Sequence, residues 1–336
     1  MKPQLKRSYN TTALFAASNA DHIDFPLRYA RAVENLKVLT PNVLPPMTRQ
    51  HPPYLPAAAE ERARELQQHL LNPQVDILMS VSGGYNSVDL LEELDYDLLE
   101  SHWKPLVGYS DFSALQLGLY KKRGLISFYG PAAVPTFGEY PGVNAYSLGC
   151  LQQVLSAEGP ISVKASAEVS LSNYFWDRED EKASVYAPNA GWKYLDSAHR
   201  GYTEGTLIGG NLDTMLSLAG TPYWPAQQET ILFFEEAHTT PKKLVRSLNT
   251  LRMTGVLENV RGLLIGRSFC PSSGEEEQAL IARILQEFAV SCGVPAVLEM
   301  DFGHSAPMLT LPVGIRASLD CSKQELRFLE AAVKLY

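Results

Sequence analysis

Short apolar runs that alternate with helical segments are the feature that most restricts the fold of this chain. In the first half, helices are predicted at 60–71, 89–99 and 111–123, and strands at 75–81 and 105–109. Alternation at this spacing predicts βαβ units, in which helices cover both faces of a parallel sheet.

The second half returns to this pattern after a long interruption. From about residue 163 to 204 the apolar periodicity fades, and connections of this length in compact proteins are usually functional. Beyond it, strands are predicted at 205–208, 230–234, 262–266 and 296–300, helices at 241–253 and 275–291, and β-like alternation at 309–330.

A chain of 336 residues is long enough for two domains. We predict an α/β protein with an N-terminal Rossmann-like (flavodoxin-like) parallel-sheet domain over 1–165 and an interdomain connection or lid over 166–204. A smaller C-terminal α/β domain, rich in β-structure, is predicted over 205–336.

Charge and cysteine usage limit the partners and the compartment. Lys and Arg number 29 against 37 Asp and Glu, a formal net charge of -8, and no basic run is interleaved with aromatics, so nucleic acid is not expected. The four cysteines form no Cys-x-x-Cys pair, which favours a reducing cytoplasm. The apolar stretch 13–17 is too short for an export signal, and no window is long enough to span a membrane.

Ser110 follows a predicted strand and precedes a predicted helix. A sharp turn there would lift its hydroxyl above the sheet edge, as in a nucleophile elbow, although Phe112 replaces the second glycine of Gly-x-Ser-x-Gly. The amide of Asp111, at the helix start, would then face a developing oxyanion. The alternative is an ordinary helix N-cap serine.

Two glycine pairs also follow strands. Gly83 and Gly84 would let the backbone approach a ligand closely, and 209–211 makes a second such turn ending at Asn211, a candidate substrate contact. A simple strand-to-helix turn is the alternative. No dinucleotide fingerprint or phosphate-binding loop is present, and no cofactor is predicted.

Carboxylates and a histidine follow other strands. Glu235 and Glu236 end an apolar run, at the strand edge where α/β proteins place their sites. With His238 they also form Glu-x-x-His, a remote metal-hydrolase alternative. His304 follows another strand, where a surface histidine is the alternative. A serine needs a base, and the base needs a third group to orient it, so these positions are compatible with a Ser-Glu-His hydrolase.

Six motifs in register resemble one family. They are Gly83-Gly-Tyr85, Leu106-Val-Gly-Tyr-Ser-Asp111, Tyr129-Gly-Pro131, Leu207-Ile-Gly-Gly-Asn-Leu212, Leu232-Phe-Phe-Glu-Glu236 and Phe302-Gly-His304. Together, over about residues 75–320, they resemble the serine peptidase family that contains LD-carboxypeptidases and microcin C immunity hydrolases.

The resemblance implies a role for each site residue. Ser110 would be the nucleophile, His304 the base and Glu235 the group that orients it, with an oxyanion hole from the amides of Asp111 and Gly84. It further implies a two-domain protein, usually a homodimer, without a metal. Two departures are Glu236, where the family often has Asp, and the first 70 residues, which lack the usual opening.

The branch within the family depends on the long connection. Its aromatic segments 174–176 and 189–192 resemble the immunity branch, where a loop aromatic stacks on adenine, so Trp176 and Trp192 are predicted substrate contacts. The predicted substrate is then a peptidyl-aspartyl-nucleotide amide. Removal of the terminal D-alanine from a murein tetrapeptide, packing roles for both tryptophans, and a non-catalytic binding protein are the alternatives.

Overall fold

Two β-sheets form the framework of the protein. The computed structural model describes residues 1–47, 57–170, 172, 176–177, 180–196, 201–224, 229–237, 239–268 and 274–336. A single core of buried aliphatic and aromatic side chains runs through both sheets.

The first sheet has the strand order of a flavodoxin-like fold. Its strands are Asn42–Leu44, Thr11–Phe15, Ile77–Ser80, Leu106–Gly108, Ser127–Tyr129 and Leu311–Val313, in spatial order. The first five are parallel, in the order 2-1-3-4-5 along the chain, and the last pairs antiparallel. The order reverses beside Thr11–Phe15, and ligands of such sheets bind at the carboxyl ends of strands at that point.

The second sheet is mixed and contains eight strands among the described residues. In spatial order they are Lys193–Leu195, Ala296–Met300, Val260–Gly266, Thr230–Glu235, Tyr202–Asn211, Arg316–Asp320, Glu325–Phe328 and Ile161–Val163. The four strands from Ala296–Met300 to Tyr202–Asn211 are parallel, and the outer strands are antiparallel. The predicted mixed α/β architecture with a parallel sheet is therefore confirmed.

Most predicted helices agree with the structure. The longer α-helices are Pro26–Leu36, Ala59–Leu71, Ser113–Arg123, Ala145–Ser156, Pro241–Met253 and Glu275–Ser291. The continuous helix predicted over 89–99 is wrong. A 3-10 turn, Ser87–Glu92, is followed by a separate helix, Tyr96–Ser101. Asp95 causes the break, because its side chain caps the second helix by accepting from the amides of Asp97 and Leu98.

The opening 70 residues supply two strands of the first sheet, the edge strand Asn42–Leu44 and its neighbour Thr11–Phe15. The apolar stretch that begins at Ala13 belongs to the fully buried strand Thr11–Phe15. A terminal ladder also pairs Gln4–Leu5 with Lys334–Leu335. Within the described ranges, no helix is both long enough and apolar enough to cross a membrane.

The chain crosses between the sheets more than once. Ile161–Val163 pairs with Glu325–Phe328 in the second sheet, and Leu311–Val313 returns to pair with Ser127–Tyr129 in the first. The boundaries at 165 and 205 stay predictions, and any division of the chain has to accommodate these two crossings.

Candidate active site

Ser110 lies in a strained turn at the carboxyl end of Leu106–Gly108. Its φ is +63°, in the left-handed region that residues other than glycine rarely adopt, and a 3-10 turn leads from it into Ser113–Arg123. Its side chain caps neither element. Strain of this kind costs about 1–3 kcal/mol and clusters at functional sites, and the geometry is that of a nucleophile elbow.

Three side chains form a continuous line of contacts. The Ser110 Oγ lies 3.1 Å from His304 Nε2, and His304 Nδ1 lies 2.8 Å from Glu235 Oε2. Glu235 ends the strand Thr230–Glu235, and its side chain is completely buried, whereas the His304 side chain is 21% exposed. The structure thus brings together three residues that are up to 194 positions apart in the chain.

Two further residues hold the Glu235 carboxylate. Its Oε1 accepts from the Tyr129 hydroxyl at 2.7 Å and from the Asn211 side-chain amide at 3.1 Å. Burial acts to raise the pKa of Glu235, but the positive charge of His304 and these hydrogen bonds outweigh it, so the pKa lies below its ordinary value. Glu235 is therefore an ionised carboxylate with both oxygens engaged.

The ionised carboxylate fixes the state of the imidazole. Because Glu235 can only accept, His304 donates from Nδ1, and in the neutral ring Nε2 is left with a lone pair facing Ser110. Burial acts to lower the pKa of His304, but the charge and hydrogen bond of Glu235 raise it above its ordinary value. The arrangement gives a base of increased strength in the correct tautomer.

Gly303 allows the loop to deliver His304 to Glu235. Its φ is +98°, and a Cβ added there would lie 2.4 Å from Glu235 Cγ and 2.6 Å from Oε2. Only glycine can adopt this backbone conformation and leave room for the side chain of Glu235.

The turn at Gly83 and Gly84 lies against Ser110. A Cβ added to Gly83 would be 3.0 Å from the Ser110 Oγ and 3.6 Å from the amide nitrogen of Asp111. In the described part of the chain, no hydrogen bond uses the amide of Gly84 or of Asp111. The Asp111 side chain instead accepts from the Ser87 amide at 2.9 Å, which holds the turn.

A cavity of about 620 Å³ opens above these residues. Its walls come from both halves of the chain and include Asn19, Asp21, Gly83, Gly84, Ser110, Asp111, Asn211, Lys243 and His304. The volume falls within the 300–1,000 Å³ of typical small-molecule sites. Two lining acids have a raised pKa: burial raises that of Glu139 to about 7, and burial with the charge of Glu235 raises that of Glu236 to about 8.

The two predicted aromatic contacts lie in different places. Trp176 lines the cavity, with the Arg28 guanidinium 4.6 Å from its ring centroid and Phe25 edge-on at 5.3 Å. Trp192 is not among the described lining residues, and its Nε1 donates to Asp301 Oδ2 at 2.7 Å. Residues 174 and 175 lie outside the described residues.

Glu236 has partners other than a metal. Its Oε2 accepts from the Asp213 amide at 3.1 Å, and the Asp213 side chain pairs with Lys243 at 2.9 Å. His238 lies outside the described residues, so Glu-x-x-His stays a sequence pattern. Among the side chains the structure describes, no three His, Cys, Asp or Glu are grouped as metal ligands.

Tyr129 is the site residue that sequence reasoning missed. It was part of the motif 129–131, but nothing in the sequence showed that its hydroxyl would reach Glu235. Asn211 was expected to contact substrate; it lines the cavity, and its amide also holds Glu235. The available signal was position, since both residues end strands, Asn211 in the same sheet as Glu235 and Tyr129 in the first sheet.

Family models match both halves of the chain. The model of the LD-carboxypeptidase N-terminal domain matches residues 12–130, and that of the C-terminal domain matches 204–319. The chain belongs to the LD-carboxypeptidase family. The resemblance drawn from the six motifs is thereby confirmed, and this LD-carboxypeptidase family member is a peptidase-type hydrolase.

Relatives of this family member are named as carboxypeptidases or as a microcin self-immunity protein. A Vibrio cholerae protein named as a carboxypeptidase is 32% identical, over 84% of this chain and 83% of its own length. The microcin C7 self-immunity protein MccF of Escherichia coli is 29% identical, over 82% of this chain and 80% of its own length.

Solved structures of family members superpose closely. MccF in complex with aspartyl sulfamoyl adenosine has a TM-score of 0.88 at 26% identity, covering 99% of this chain and 100% of its own. An MccF active-site mutant, in which a serine, an asparagine and a lysine are replaced by alanine, gives the same TM-score, identity and coverage. A muramoyltetrapeptide carboxypeptidase from Oxalobacter formigenes has a TM-score of 0.73 at 25% identity, covering 95% of this chain and 97% of its own.

Proposed function

We propose that this protein is a serine hydrolase that cleaves an amide bond in a small peptide-like substrate, with Ser110 as nucleophile, His304 as general base and Glu235 as the group that orients the base. The observation that carries the proposal is the line of contacts at 3.1 and 2.8 Å from a serine in an elbow to an ionised, buried carboxylate. A serine hydroxyl is a weak nucleophile unless such a base adjoins it.

The reaction proceeds in two halves. Ser110 Oγ attacks the substrate carbonyl while its proton passes to His304 Nε2, and the amides of Gly84 and Asp111 donate to the resulting oxyanion. The intermediate collapses when the C–N bond breaks and His304 gives its proton to the leaving nitrogen. Water, deprotonated by the same imidazole, then attacks the acyl-serine and releases the acid.

For the substrate, we infer a peptidyl-aspartyl-nucleotide amide. The TM-score to MccF with aspartyl sulfamoyl adenosine exceeds that to the muramoyltetrapeptide carboxypeptidase, 0.88 against 0.73. Trp176 supplies an aromatic ring in the cavity on which a base can stack. Ser110, Asn211 and Lys243 line this cavity together, and a serine, an asparagine and a lysine are the residues changed in the MccF active-site mutant.

Removal of a terminal D-alanine from a murein tetrapeptide is the second candidate. It is favoured by relatives named as murein peptide carboxypeptidases, one of which, from Pseudomonas aeruginosa, is 27% identical over 80% of this chain. Both candidates use the same nucleophile and differ only in what the cavity holds.

The catalytic assignment is tested with a fluorophosphonate probe and a Ser110→Ala variant. We expect the parent to be labelled at Ser110 and to turn over substrate, and the variant to lose both while keeping its fold by circular dichroism. Full hydrolysis by Ser110→Ala would refute the proposal. Tight binding of ligands without turnover or labelling would instead favour a non-catalytic binding protein.

The substrate assignment is tested by comparing kcat/KM on an aspartyl-adenylate-type amide with kcat/KM on murein tetrapeptide. We expect the nucleotide amide to be preferred, and Trp176→Leu to lower kcat/KM for that substrate alone by about 5- to 150-fold, the equivalent of 1–3 kcal/mol of stacking. Trp224→Leu is the matched control, since Trp224 is half-buried outside the described cavity lining. A preference for tetrapeptide would reverse the assignment.

A homodimer and a cytoplasmic location remain proposals from the sequence. Light scattering on the purified protein, and fractionation of cells that express it, would test them.

A further inference from the structure

Asp301 is a completely buried carboxylate directly after the strand Ala296–Met300 and three residues before His304. Its Oδ2 accepts from the Ser166 amide at 2.9 Å and from Trp192 Nε1 at 2.7 Å. Its Oδ1 accepts from the Asn189 side-chain amide at 3.0 Å and from Arg267 at 3.2 Å. Two carboxylate oxygens offer about four acceptor positions, so the group is fully used.

Three of the four donors belong to residues 166–192, the first part of the predicted interdomain connection 166–204. This segment alone is called the connection below. Ser166 stands at its start, and Asn189 and Trp192 stand at its end, so one carboxylate ties the two ends together. The strands Glu168–Val169 and Ala187–Pro188 pair antiparallel and also hold the two ends of the connection together. Between these ends the connection carries Trp176, Lys182 and Ser184 to the cavity.

The histidine loop, defined here as residues 302–308, is joined to the same connection. The Ser170 amide donates to the Ala306 carbonyl at 2.7 Å, and the Ala306 amide donates back at 3.2 Å. The Asp301 carbonyl also accepts from the Leu309 amide, which closes the loop at its base. The orientation of His304 therefore depends on a loop held at both ends through Asp301 and at its middle by the connection.

Only a side chain of this length with two accepting oxygens fits the position. All four partners are donors, and Arg267, whose side chain is 11% exposed, supplies the compensating charge. An asparagine would turn its NH₂ group toward a donor. It would also leave Arg267 with Glu299, whose side chain is 42% exposed, as its one carboxylate partner among the described residues, beside the neutral Asn189 Oδ1 at 2.7 Å.

We propose that Asp301 is a positioning residue, which fixes the connection onto the histidine loop and thereby sets the placement of His304 against Ser110. This proposal rests on the proposed function, because it acts through the serine–histidine pair. Asp301 itself contacts none of Ser110, Glu235 and His304 through a hydrogen bond that the structure describes.

The test measures the rate constant with which a small fluorophosphonate labels Ser110, well below the melting temperature of each variant. The probe is too small to need the connection, and a variant that was merely less stable would keep the rate of the parent. We expect Asp301→Asn to label at least about tenfold more slowly. The matched control is Glu299→Gln, which removes the charge of the other carboxylate that pairs with Arg267, and it should label at the rate of the parent. Parent-like labelling by Asp301→Asn would overturn the proposal.

Trp192→Phe keeps the test decisive if Asp301→Asn does not fold. It deletes one of the four bonds and retains the aromatic packing, so we expect a smaller loss, about two- to fivefold. Where Asp301→Asn does fold, adding Trp192→Phe to it should slow labelling little further, because both changes break one network. A double variant whose loss in labelling rate equals the product of the two single losses would show that Asp301 does not act on His304 through the connection. Labelling of Trp192→Phe at the rate of the parent would show the same.

Hydrogen exchange separates failure of this proposal from failure of the proposed function. In Asp301→Asn, or in Trp192→Phe to a smaller extent, the start of the connection and the histidine loop should lose protection together, whereas Glu299→Gln should leave both unchanged. If the parent is not labelled at Ser110, the proposed function fails and the positioning role fails with it. If the parent is labelled and neither segment changes exchange in Asp301→Asn, only the positioning role fails.

Discussion

Replacing Glu235 by glutamine keeps the size of the side chain but removes the charge that sets the tautomer of His304. The carboxylate accepts three hydrogen bonds, from His304 Nδ1 at 2.8 Å, the Tyr129 hydroxyl at 2.7 Å and Asn211 at 3.1 Å. A glutamine has one oxygen to accept with, and its NH₂ group must face one of these donors. When it faces His304, the ring responds by accepting at Nδ1 and carrying its proton on Nε2, which can no longer take the proton of Ser110.

The expected loss follows from this change of tautomer. The corresponding acid-to-amide change in a Ser-His-Asp triad lowers kcat by about 10⁴, and we expect about 10³ to 10⁴ here, or 4–5.5 kcal/mol of transition-state stabilisation. The fold should survive, because the volume is conserved and two of the three donors can still be satisfied.

The assay is kcat and kcat/KM at pH 7 on the preferred amide, with fluorophosphonate labelling as a second readout that does not depend on substrate. Glu236→Gln is the control. Glu236 is also buried beside the cavity, but burial and the charge of Glu235 raise its pKa to about 8, so at pH 7 it is largely protonated and glutamine imitates its neutral form. We expect at most about a threefold effect there. A Glu235→Gln enzyme within tenfold of the parent, or an equal loss in Glu236→Gln, would refute the reasoning.

Three further perturbations test other parts of the site. As the pH rises, kcat/KM should increase while His304 loses its proton, with a midpoint above 6.5 because Glu235 raises the pKa of that imidazole. The midpoint should move to lower pH in Glu235→Gln, and a parent midpoint below 6.5 would contradict the assignment. Gly303→Ala should lose at least about 100-fold in kcat/KM and about 1–3 kcal/mol in the free energy of unfolding measured with urea, since φ is +98° and the new methyl would lie 2.4 Å from Glu235. The matched control is Gly149→Ala, in a helix with nothing within 4 Å of the added carbon, which should be neutral or slightly stabilising. Tyr129→Phe removes one charge-assisted bond to Glu235 and should lower kcat by about tenfold, while an unchanged kcat would show that Asn211 suffices.

Elements with a complete local signal were predictable from the sequence. The helices 241–253 and 275–291 and the strand 296–300 have the predicted bounds. The first of these helices begins with Thr240, whose side chain caps it, and with a proline at its first position. The break at Asp95 was not predictable from apolar spacing, because the pattern continues through it and only the capping side chain ends it.

The candidate site was predictable in its members and not in its geometry. Ser110, Glu235 and His304 follow strands, and motif order singled them out, but no spacing showed that they would lie within hydrogen-bond distance. The partners of Glu235 come from strands of different sheets, a tertiary proximity without a local pattern. Composition and spacing likewise could not distinguish Trp176, which lines the cavity, from Trp192, which is bonded to Asp301.

The strand exchange between the two sheets limits how this protein can be divided or recombined. A cut at residue 165 would remove Leu311–Val313 from Ser127–Tyr129 and would part Ile161–Val163 from Glu325–Phe328. Each fragment would then present an unpaired strand edge, the kind of surface that templates aggregation. In a hybrid of two relatives, each of the strands Ile161–Val163 and Leu311–Val313 should therefore come from the same relative as the sheet in which it pairs. A junction chosen only by position in the chain would pair strands from different relatives.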